Sequence, residues 1–396
     1  MASSDIGKLS TAAPVAAFVV TGMVTTVLGP ILPELLETWH LSDSAAGALF
    51  TAQFSGSLGA GALSGFLVSR IGDRRTLALG YGAMCAGLLA IAAGAHASGV
   101  AGAFAAGVGM GCVIPPTNLL VARGRPDRAA SALGVLNLSW GIGAAAWPLV
   151  VSASVRLGAM RPALVGLALL CAAASLAVLA LVRDPDAVGT DPHSAAPVPV
   201  ARVALFGVLI WLYSGTEMAL GGWLPELARR LPSAASTAGS AAVGAAFWGG
   251  LSAGRAAICV RLDRRHEDPA VFAGIALASC SLVFLITARA DVMVLAAAAL
   301  GGIGLGPIFP VTVAAVSRET PVRIAGPLLA MGSLGGATVP WLVGAISDTS
   351  RSLATGVASL LAALGILATL HVFRVMRPRP GLRGPDQNWI TSGRRK

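Results

Sequence analysis

Charged side chains are scarce in this chain. Only 12% of its residues are Asp, Glu, Lys or Arg, 55% are hydrophobic and the mean hydropathy is +0.77. Soluble domains carry roughly a quarter charged residues, so this composition excludes an ordinary soluble domain and indicates a chain that resides in a lipid bilayer. The net charge of +10 is spread as short basic clusters between apolar runs, without interleaved aromatics, so we expect no nucleic acid partner.

Other missing features exclude further classes of protein. The five cysteines lie in or beside apolar runs, with no metal-type spacing and no pairing in loops, which excludes a disulfide framework and a zinc site. The sequence contains no nucleotide-binding loop and no arrangement typical of a catalytic nucleophile. We therefore predict no enzymatic activity, no cofactor and no metal, and expect any work to be driven by an ion or solute gradient.

Apolar runs long enough to cross a bilayer, about 20 residues each, recur twelve times. The predicted spans are 12–36, 44–69, 76–96, 98–122, 129–151, 162–182, 201–225, 236–260, 268–288, 291–317, 322–346 and 352–374. The first run is too long for the apolar part of a signal peptide and lacks a clear cleavage pattern, so we interpret it as a helix. The predicted fold class is all-α integral membrane, with twelve transmembrane helices as two six-helix bundles.

The longest polar interruption divides these spans into two sets of six. It runs from Arg183 to Val200 and contains four prolines and three aspartates. The predicted domains are an N-terminal bundle (1–182), a cytoplasmic linker (183–200), a C-terminal bundle (201–374) and a basic cytoplasmic tail (375–396).

The distribution of basic residues predicts the topology. With both termini cytoplasmic, that side holds 21 Lys and Arg residues and the opposite side holds 6. Arginine supplies 26 of the 28 basic residues, and with abundant Ala and Gly this suggests a GC-rich bacterial genome. We therefore expect a monomer that crosses the cytoplasmic (inner) membrane of a bacterium several times.

The two halves also repeat each other in sequence. The segment Gly107–Arg123 aligns with Gly301–Arg318 at an offset of 195, and LPEL occurs at both Leu32–Leu35 and Leu224–Leu227. Gly143 and Pro148 have counterparts in the other half at an offset of 192. A parallel repeat of six helices is typical of transporters built from two bundles.

The segment GFLVSRIGDRR, Gly65–Arg75, resembles the loop motif of the major facilitator superfamily (MFS), and the resemblance extends over essentially the whole chain. It implies the MFS fold and a cytoplasmic gate. Ser69 and Asp73 depart from the usual residues, whereas the second half keeps an acid followed by arginines. The gate candidates are Gly65, Ser69, Arg70, Gly72, Asp73, Arg74, Asp263, Arg264 and Arg265. The alternative is that these residues only anchor the positive-inside topology.

A narrower resemblance concerns three segments. Tyr213–Leu227, Phe247–Arg255 and Gly306–Thr312 are similar to the fucose-permease-like branch of the superfamily, which implies transport of sugars with protons. The acids that this branch uses in its first and fourth helices are absent, since span 4 offers Asn118 instead. Drug–proton antiporters are the competing branch, although Trp147-Pro148 departs from the end of their fifth helix.

Glu217 is the main candidate for chemistry. It lies about 14 residues into the apolar run that starts at Val203, or about 21 Å along a helix. An ionisable residue at such depth is a functional hypothesis by default, and we predict that Glu217 takes up and releases the coupling proton. The alternative is a permanently protonated, structural carboxyl. Arg255 is expected near the inner end of span 8, where it snorkels or pairs with a helix C-terminus.

Other polar and aromatic residues at helical spacing predict a substrate site. The candidates are Gln53, Asn118, Asn137, Trp140, Tyr213, Glu217, Trp248 and Ser333. Amides and indoles suit hydroxyl-rich solutes, although such residues also join helices to one another in membrane bundles. The predicted function is secondary active transport of a small, sugar-like solute by alternating access, coupled to protons or sodium. The alternatives are proton-driven export of drugs or natural products, and a membrane sensor or scaffold that moves no solute.

Overall fold

The computed structural model describes residues 2–124, 129–182, 199–231, 237–261, 266–320 and 322–376. The regular structure in these ranges is helical. The helices are α1 (Ala2–Thr25), α2 (Leu28–Thr38), α3 (Asp43–Ala92), α4 (His96–Gly124), α5 (Ala129–Arg156), α6 (Met160–Leu181), α7 (Val200–Arg230), α8 (Thr237–Arg261), α9 (Glu267–Ile286), α10 (Asp291–Leu305), α11 (Ile308–Glu319), α12 (Val322–Ser350), α13 (Leu353–Ala358) and α14 (Leu360–Met376).

These helices reproduce the predicted spans. Within the described ranges, ten helical segments are long and apolar enough to cross a membrane. One of them, α3, has 50 residues and therefore holds two bilayer lengths, and α8, with 25 residues, occupies the eighth predicted span. Three spans are each built from two helices: α1 with α2, α10 with α11, and α13 with α14. The predicted linker at 183–200 lies almost entirely outside the described residues, as does the tail after Met376.

The bend in α3 falls inside the motif that the sequence analysis singled out. Gly72 has φ 84° and ψ 163°, a conformation that residues with a Cβ rarely adopt. The sequence predicted a loop of several residues between spans 2 and 3, whereas the helix continues on both sides of this one glycine. The glycine thus turns the chain back into the membrane with a minimal connection.

The breaks in spans 1 and 10 have a common cause. The first lies at Thr26 and Val27, and the second lies at Gly306 and Pro307. Proline lacks the backbone N–H that would bond to the carbonyl four residues earlier. Pro30 follows Thr26 by four residues, and Pro310 follows Gly306 by the same interval. The same proline spacing therefore interrupts one span in each half.

The repeat is also visible in the helix packing. A Cβ on Gly107 of α4 would overlap the carbonyl of Gln53 on α3, and a Cβ on Gly302 of α10 would overlap the carbonyl of Phe247 on α8. These matched contacts lie 194 to 195 residues apart. Such close backbone approach holds membrane helices together by van der Waals packing.

Two ends of the bundle are distinguished below. The terminal face is the end at which α1 begins, α3 bends at Gly72 and α14 finishes. The distal face is the opposite end, which carries Asp43, Arg230 and Ser350. The candidate functional residues lie between these two faces.

Candidate functional site

Glu217 forms an ion pair with Arg255 inside the second half of the bundle. Nη2 of Arg255 lies 2.9 Å from Oε1 and 2.8 Å from Oε2 of Glu217. The side chain of Glu217 is 5% exposed and that of Arg255 is 17% exposed. The pair joins the middle of α7 to α8 and brings two opposite charges together where neither could be buried alone without great cost.

The expectation for Arg255 was therefore wrong. The sequence suggested a snorkelling residue or a partner for a helix terminus, but the structure directs the guanidinium to Glu217. A signal was available, because Arg255 precedes the end of α8 at Arg261 by six residues, or about 9 Å. A cation inside a span needs an anion, and Glu217 is the acid that the sequence places well inside one.

Aromatic side chains surround the arginine. Its Cζ lies 5.4 Å from the ring centre of Trp140 and 5.7 Å from that of Phe309, distances at which cation–π attraction operates. Tyr213 stacks on Phe309, and its hydroxyl accepts a hydrogen bond of 3.3 Å from Arg255 while donating to the carbonyl of Leu305 at 3.1 Å. Residues of α5, α7, α8, α10 and α11 thus meet at one charged centre.

Trp140 connects this centre to the first half of the chain. The ring of Trp140 meets the ring of Trp248 edge to face at 5.7 Å, and its Nε1 donates to Oγ1 of Thr25 at 3.3 Å. The indole Nε1 of Trp248 is buried and has no hydrogen-bond partner among the described residues. The predicted residues Trp140, Tyr213, Glu217 and Trp248 consequently form one cluster.

Gln53 and Ser333 lie elsewhere in the interface between helices. Nε2 of Gln53 donates to the carbonyl of Val24 at 3.0 Å, while its buried Oε1 finds no donor among the described residues. Ser333 of α12 lies 3.4 Å from Ser57 of α3, oxygen to oxygen. Gln53 joins helices within the first half, and Ser333 joins the two halves.

The two asparagines are not brought into the cluster. Nδ2 of Asn118 donates to the carbonyl of Ile114 at 2.8 Å, and Nδ2 of Asn137 donates to that of Leu133 at 2.9 Å. Asn118 is half-buried and Asn137 is exposed. Both amides bond to their own helices, so no described contact supports a role in the site.

The predicted gate residues of the first half lie around the bend in α3. Gly65, Ser69, Arg70 and Arg74 are exposed, whereas Asp73 is buried directly after Gly72. Oγ of Ser69 donates to the carbonyl of Phe66 at 2.8 Å, on its own helix. Asp263, Arg264 and Arg265 lie outside the described residues.

A second charged cluster, at the distal face, was missed by the sequence analysis. Arg230 of α7 donates to both carboxylate oxygens of Asp43 on α3, at 2.8 and 2.6 Å. Arg229 binds Glu37 and also the buried carboxylate of Glu226, which Arg230 contacts as well. We call these five residues the distal cluster. It ties the end of α2 and the start of α3 to the end of α7.

Helix α12 adds further contacts between the two halves at the distal face. Oγ of Ser347 donates to Asp43 at 2.5 Å, and both carboxylate oxygens of Asp348 accept backbone N–H bonds from Asp43 and Ser44, at 3.0 and 2.9 Å. A carboxylate at a helix N-terminus satisfies unpaired N–H groups and complements the helix dipole. The first turn of α3 is therefore capped by a residue of the other half.

Comparison with known proteins decides the family. The model of the Major Facilitator Superfamily matches residues 15–326, more than three quarters of the chain. The chain belongs to the major facilitator superfamily. This MFS membership makes it a secondary transporter rather than an enzyme, as the sequence predicted.

Individual relatives are distant from this MFS chain. Bypass of stop codon protein 6 from Saccharomyces cerevisiae is 24% identical over 389 residues, which cover 86% of this chain and 78% of the yeast protein. A bacterial homologue of the human lysosomal transporter Spinster, in its inward-facing and occupied conformation, superposes with a TM-score of 0.73 at 13% identity. The superposition covers 92% of this chain and 96% of the homologue.

A D-xylose–proton symporter superposes equally well, with a TM-score of 0.73 at 16% identity, over 93% of this chain and 97% of its own. The human organic anion transporter MFSD10 gives a TM-score of 0.71 at 15% identity, over 92% of this chain and 99% of its own. At such identities these structures confirm the MFS fold alone.

Proposed function

We propose that this secondary transporter moves a small, polar, sugar-like solute together with a proton, and that the Glu217–Arg255 pair is its coupling centre. The observation that carries the proposal is the ion pair itself. Burying two charges in a membrane bundle costs more than packing apolar side chains of similar size. Ionisable residues at such depth mark substrate and ion pathways.

The pair offers a simple coupling device. While Glu217 is ionised, it holds Arg255 and neutralises it. When Glu217 takes up a proton, the attraction is lost, and Arg255 becomes available to other acceptors such as a solute oxygen. A proton and a solute can thus occupy the centre together, which is the condition for moving both in one cycle.

The surroundings of the pair fit a hydroxylated solute. Trp140 provides an aromatic face for the C–H side of a sugar ring, and buried Trp248 Nε1 offers a donor that has no acceptor among the described residues. The resemblance of three segments to the fucose-permease-like branch points the same way. A structural neighbour that is a D-xylose–proton symporter shows that this fold can carry a sugar with a proton.

The orientation follows from the basic residues. We place the terminal face in the cytoplasm of a bacterium and the distal face outside its inner membrane, because the cytoplasmic side then holds 21 basic residues against 6. The conformation described above is then closed to the outside by the distal cluster. In this proposal the units 1–182 and 201–374 rock against each other about the centre, with the linker 183–200 between them.

The test compares two transport modes in proteoliposomes. Thermal stabilisation by a panel of sugars, with D-xylose, L-fucose and D-glucose included, selects the radiolabelled probe. Glu217→Gln should abolish accumulation of that sugar driven by a pH gradient and leave exchange of preloaded sugar within about twofold. Glu267→Gln, which removes an acid of a different ion pair at the terminal face, is the matched control and should keep both modes.

Accumulation that survives Glu217→Gln would contradict the coupling role. Loss of both modes, with the control intact, would contradict it as well, because the residue would then be needed for solute movement itself. Stabilisation by hydrophobic drugs, with none by sugars, would favour the exporter alternative.

A further inference from the structure

We propose that Arg255 is the binding site for a substrate carboxylate, and that the transported solute is a small hydroxylated acid such as a sugar acid, carried as its anion with one proton on Glu217. This inference rests on the proposed function and narrows its substrate class from sugar-like solutes in general to their anionic members.

The hydrogen bonding of Arg255 leaves the Nε donor of the guanidinium unused. Its described hydrogen bonds to Glu217 and Tyr213 all come from Nη2. The buried Nε has no acceptor among the described residues. Arginine binds a carboxylate best through two parallel N–H groups on one edge, such as Nε and Nη2. Glu217 uses a single nitrogen, so a substrate carboxylate that engages two can displace it.

Charge balance then requires a proton. Adding an anion beside an intact Arg255–Glu217 pair would leave a net negative charge in the middle of the membrane, which is costly. If Glu217 takes a proton from water, its bond to Arg255 is replaced by the bond between Arg255 and the substrate anion. On release, Glu217 returns the proton to water and binds Arg255 again. The O–H bond that forms on Glu217 breaks again on release, and the substrate itself is chemically unchanged.

Arg255 is the one cation described beside Glu217. The described ionisable neighbours are Arg255 from α8 and Tyr213 from α7 itself. Three further packed segments contribute uncharged groups near the pair: α11 brings Phe309, α10 brings the Leu305 carbonyl, and α12 packs Val339 against Gly215. The substrate anion therefore has one described cation to bind.

A further orphaned group suits the rest of such a molecule. Trp248 Nε1 is a buried donor without a partner among the described residues. Leaving a buried polar group unpaired is costly, and a hydroxyl oxygen can accept from this donor. Trp248 and Arg255 both contact the ring of Trp140. An acid with hydroxyl groups fits this set better than an apolar acid.

The test measures binding of matched acids and neutral analogues to the purified full-length protein. D-gluconate is paired with D-glucose, D-xylonate with D-xylose, and D-galacturonate with D-galactose. We expect at least one acid to bind tenfold more tightly than its neutral partner, and more tightly at pH 5.5 than at pH 7.5. A pH-sensitive dye should report uptake of about one proton per bound acid at pH 7.5.

The variants separate charge from folding. Glu217→Gln mimics the protonated carboxyl, so it should bind the acid at least tenfold more tightly at pH 7.5 and lose the pH dependence. The double variant Glu217→Gln with Arg255→Gln removes both charges together and should keep its melting temperature within a few degrees while losing acid binding.

Neutral sugars that bind as tightly as their acids would overturn this inference and leave the proposed function standing. Acid binding that persists in the folded double variant would also overturn it. The proposed function fails separately, if pH-driven accumulation survives Glu217→Gln.

Discussion

The two faces of the bundle use ion pairs differently. At the distal face, Arg230–Asp43 and Arg229–Glu37 each join a residue of the second half to a residue of the first. At the terminal face, the described pairs Arg318–Glu267, Arg374–Asp268 and Arg374–Glu319 all stay within the second half. Charges that cross between halves can hold one end of a transporter shut, whereas charges within one half keep that half rigid while it moves.

Helix packing agrees with this difference. Hydrogen bonds between α3 and α12 begin at the distal face, where Asp348 caps the start of α3. Further into the bundle, Oγ1 of Thr51 donates to the Ala337 carbonyl at 2.6 Å. The deepest of these described hydrogen bonds joins Ser57 to Ser333. The structure is therefore closed at the distal face, as one state of an alternating-access cycle requires.

The largest effect on this closure should come from Gly344→Ala. A Cβ at Gly344 would overlap the backbone carbonyl of Asp43, and overpacking of this kind costs up to about 3 kcal/mol. Opening the distal face relieves the overlap, so the closed state should lose population. A cysteine introduced as Thr51→Cys, with the native cysteines replaced, should react with maleimide about 100-fold faster.

Gly326→Ala is the matched control for this change. It lies on the same helix, and a Cβ there would meet no atom within 4 Å. Maleimide labelling at position 51 should match the parent protein. Equal acceleration in both glycine variants would show that α12 is merely destabilised, without a specific effect on the distal face.

Asp43→Asn should have the next largest effect. Asp43 is buried, while the side chain of Arg230 is 37% exposed, so this ion pair is intermediate between a buried and a surface ion pair. Its loss should destabilise the closed state by about 2 kcal/mol. Such a loss shifts the balance between closed and open states about 30-fold. The rate of maleimide labelling at position 51 should rise by a similar factor. An unchanged rate would show that the distal cluster does not hold this face closed.

Glu267→Gln should have the smallest effect. It breaks the ion pair between Glu267, whose side chain is 18% exposed, and Arg318, whose side chain is 33% exposed. Ion pairs as exposed as this contribute about 1 kcal/mol or less. Because the pair lies within one half, the closed state should keep its population even where the melting temperature falls slightly. An opening of the distal face in this variant would contradict the distinction between the two faces.

The sequence predicted the parts of this molecule that depend on local pattern. Twelve apolar runs, the glycine repeat between Gly107 and Gly302, and the depth of Glu217 follow from hydropathy and spacing alone. The bend at Gly72 falls inside the motif that was recognised. These features need no knowledge of which helices touch.

The features that were missed depend on long-range pairing. Asp43 and Arg230 lie 187 residues apart, and Ser347 is 304 residues from Asp43. Their contact depends on how the two halves dock, which no local pattern reveals. The structure does not bring Asn118 and Asn137 into the cluster. When helices are apolar on all sides, spacing does not show which face is turned to the centre.

The most direct test of the central claim is a pair of electron–electron distance measurements on the spin-labelled protein in lipid. One pair of labels reports the distal face, at Thr38→Cys and Thr349→Cys, and the other the terminal face, at Ser69→Cys and Ser317→Cys, all exposed positions. We expect Asp43→Asn to lengthen the distal distance and shorten the terminal one, while Glu267→Gln changes neither. A distal distance that stays the same in Asp43→Asn, or faces that move independently, would contradict the account.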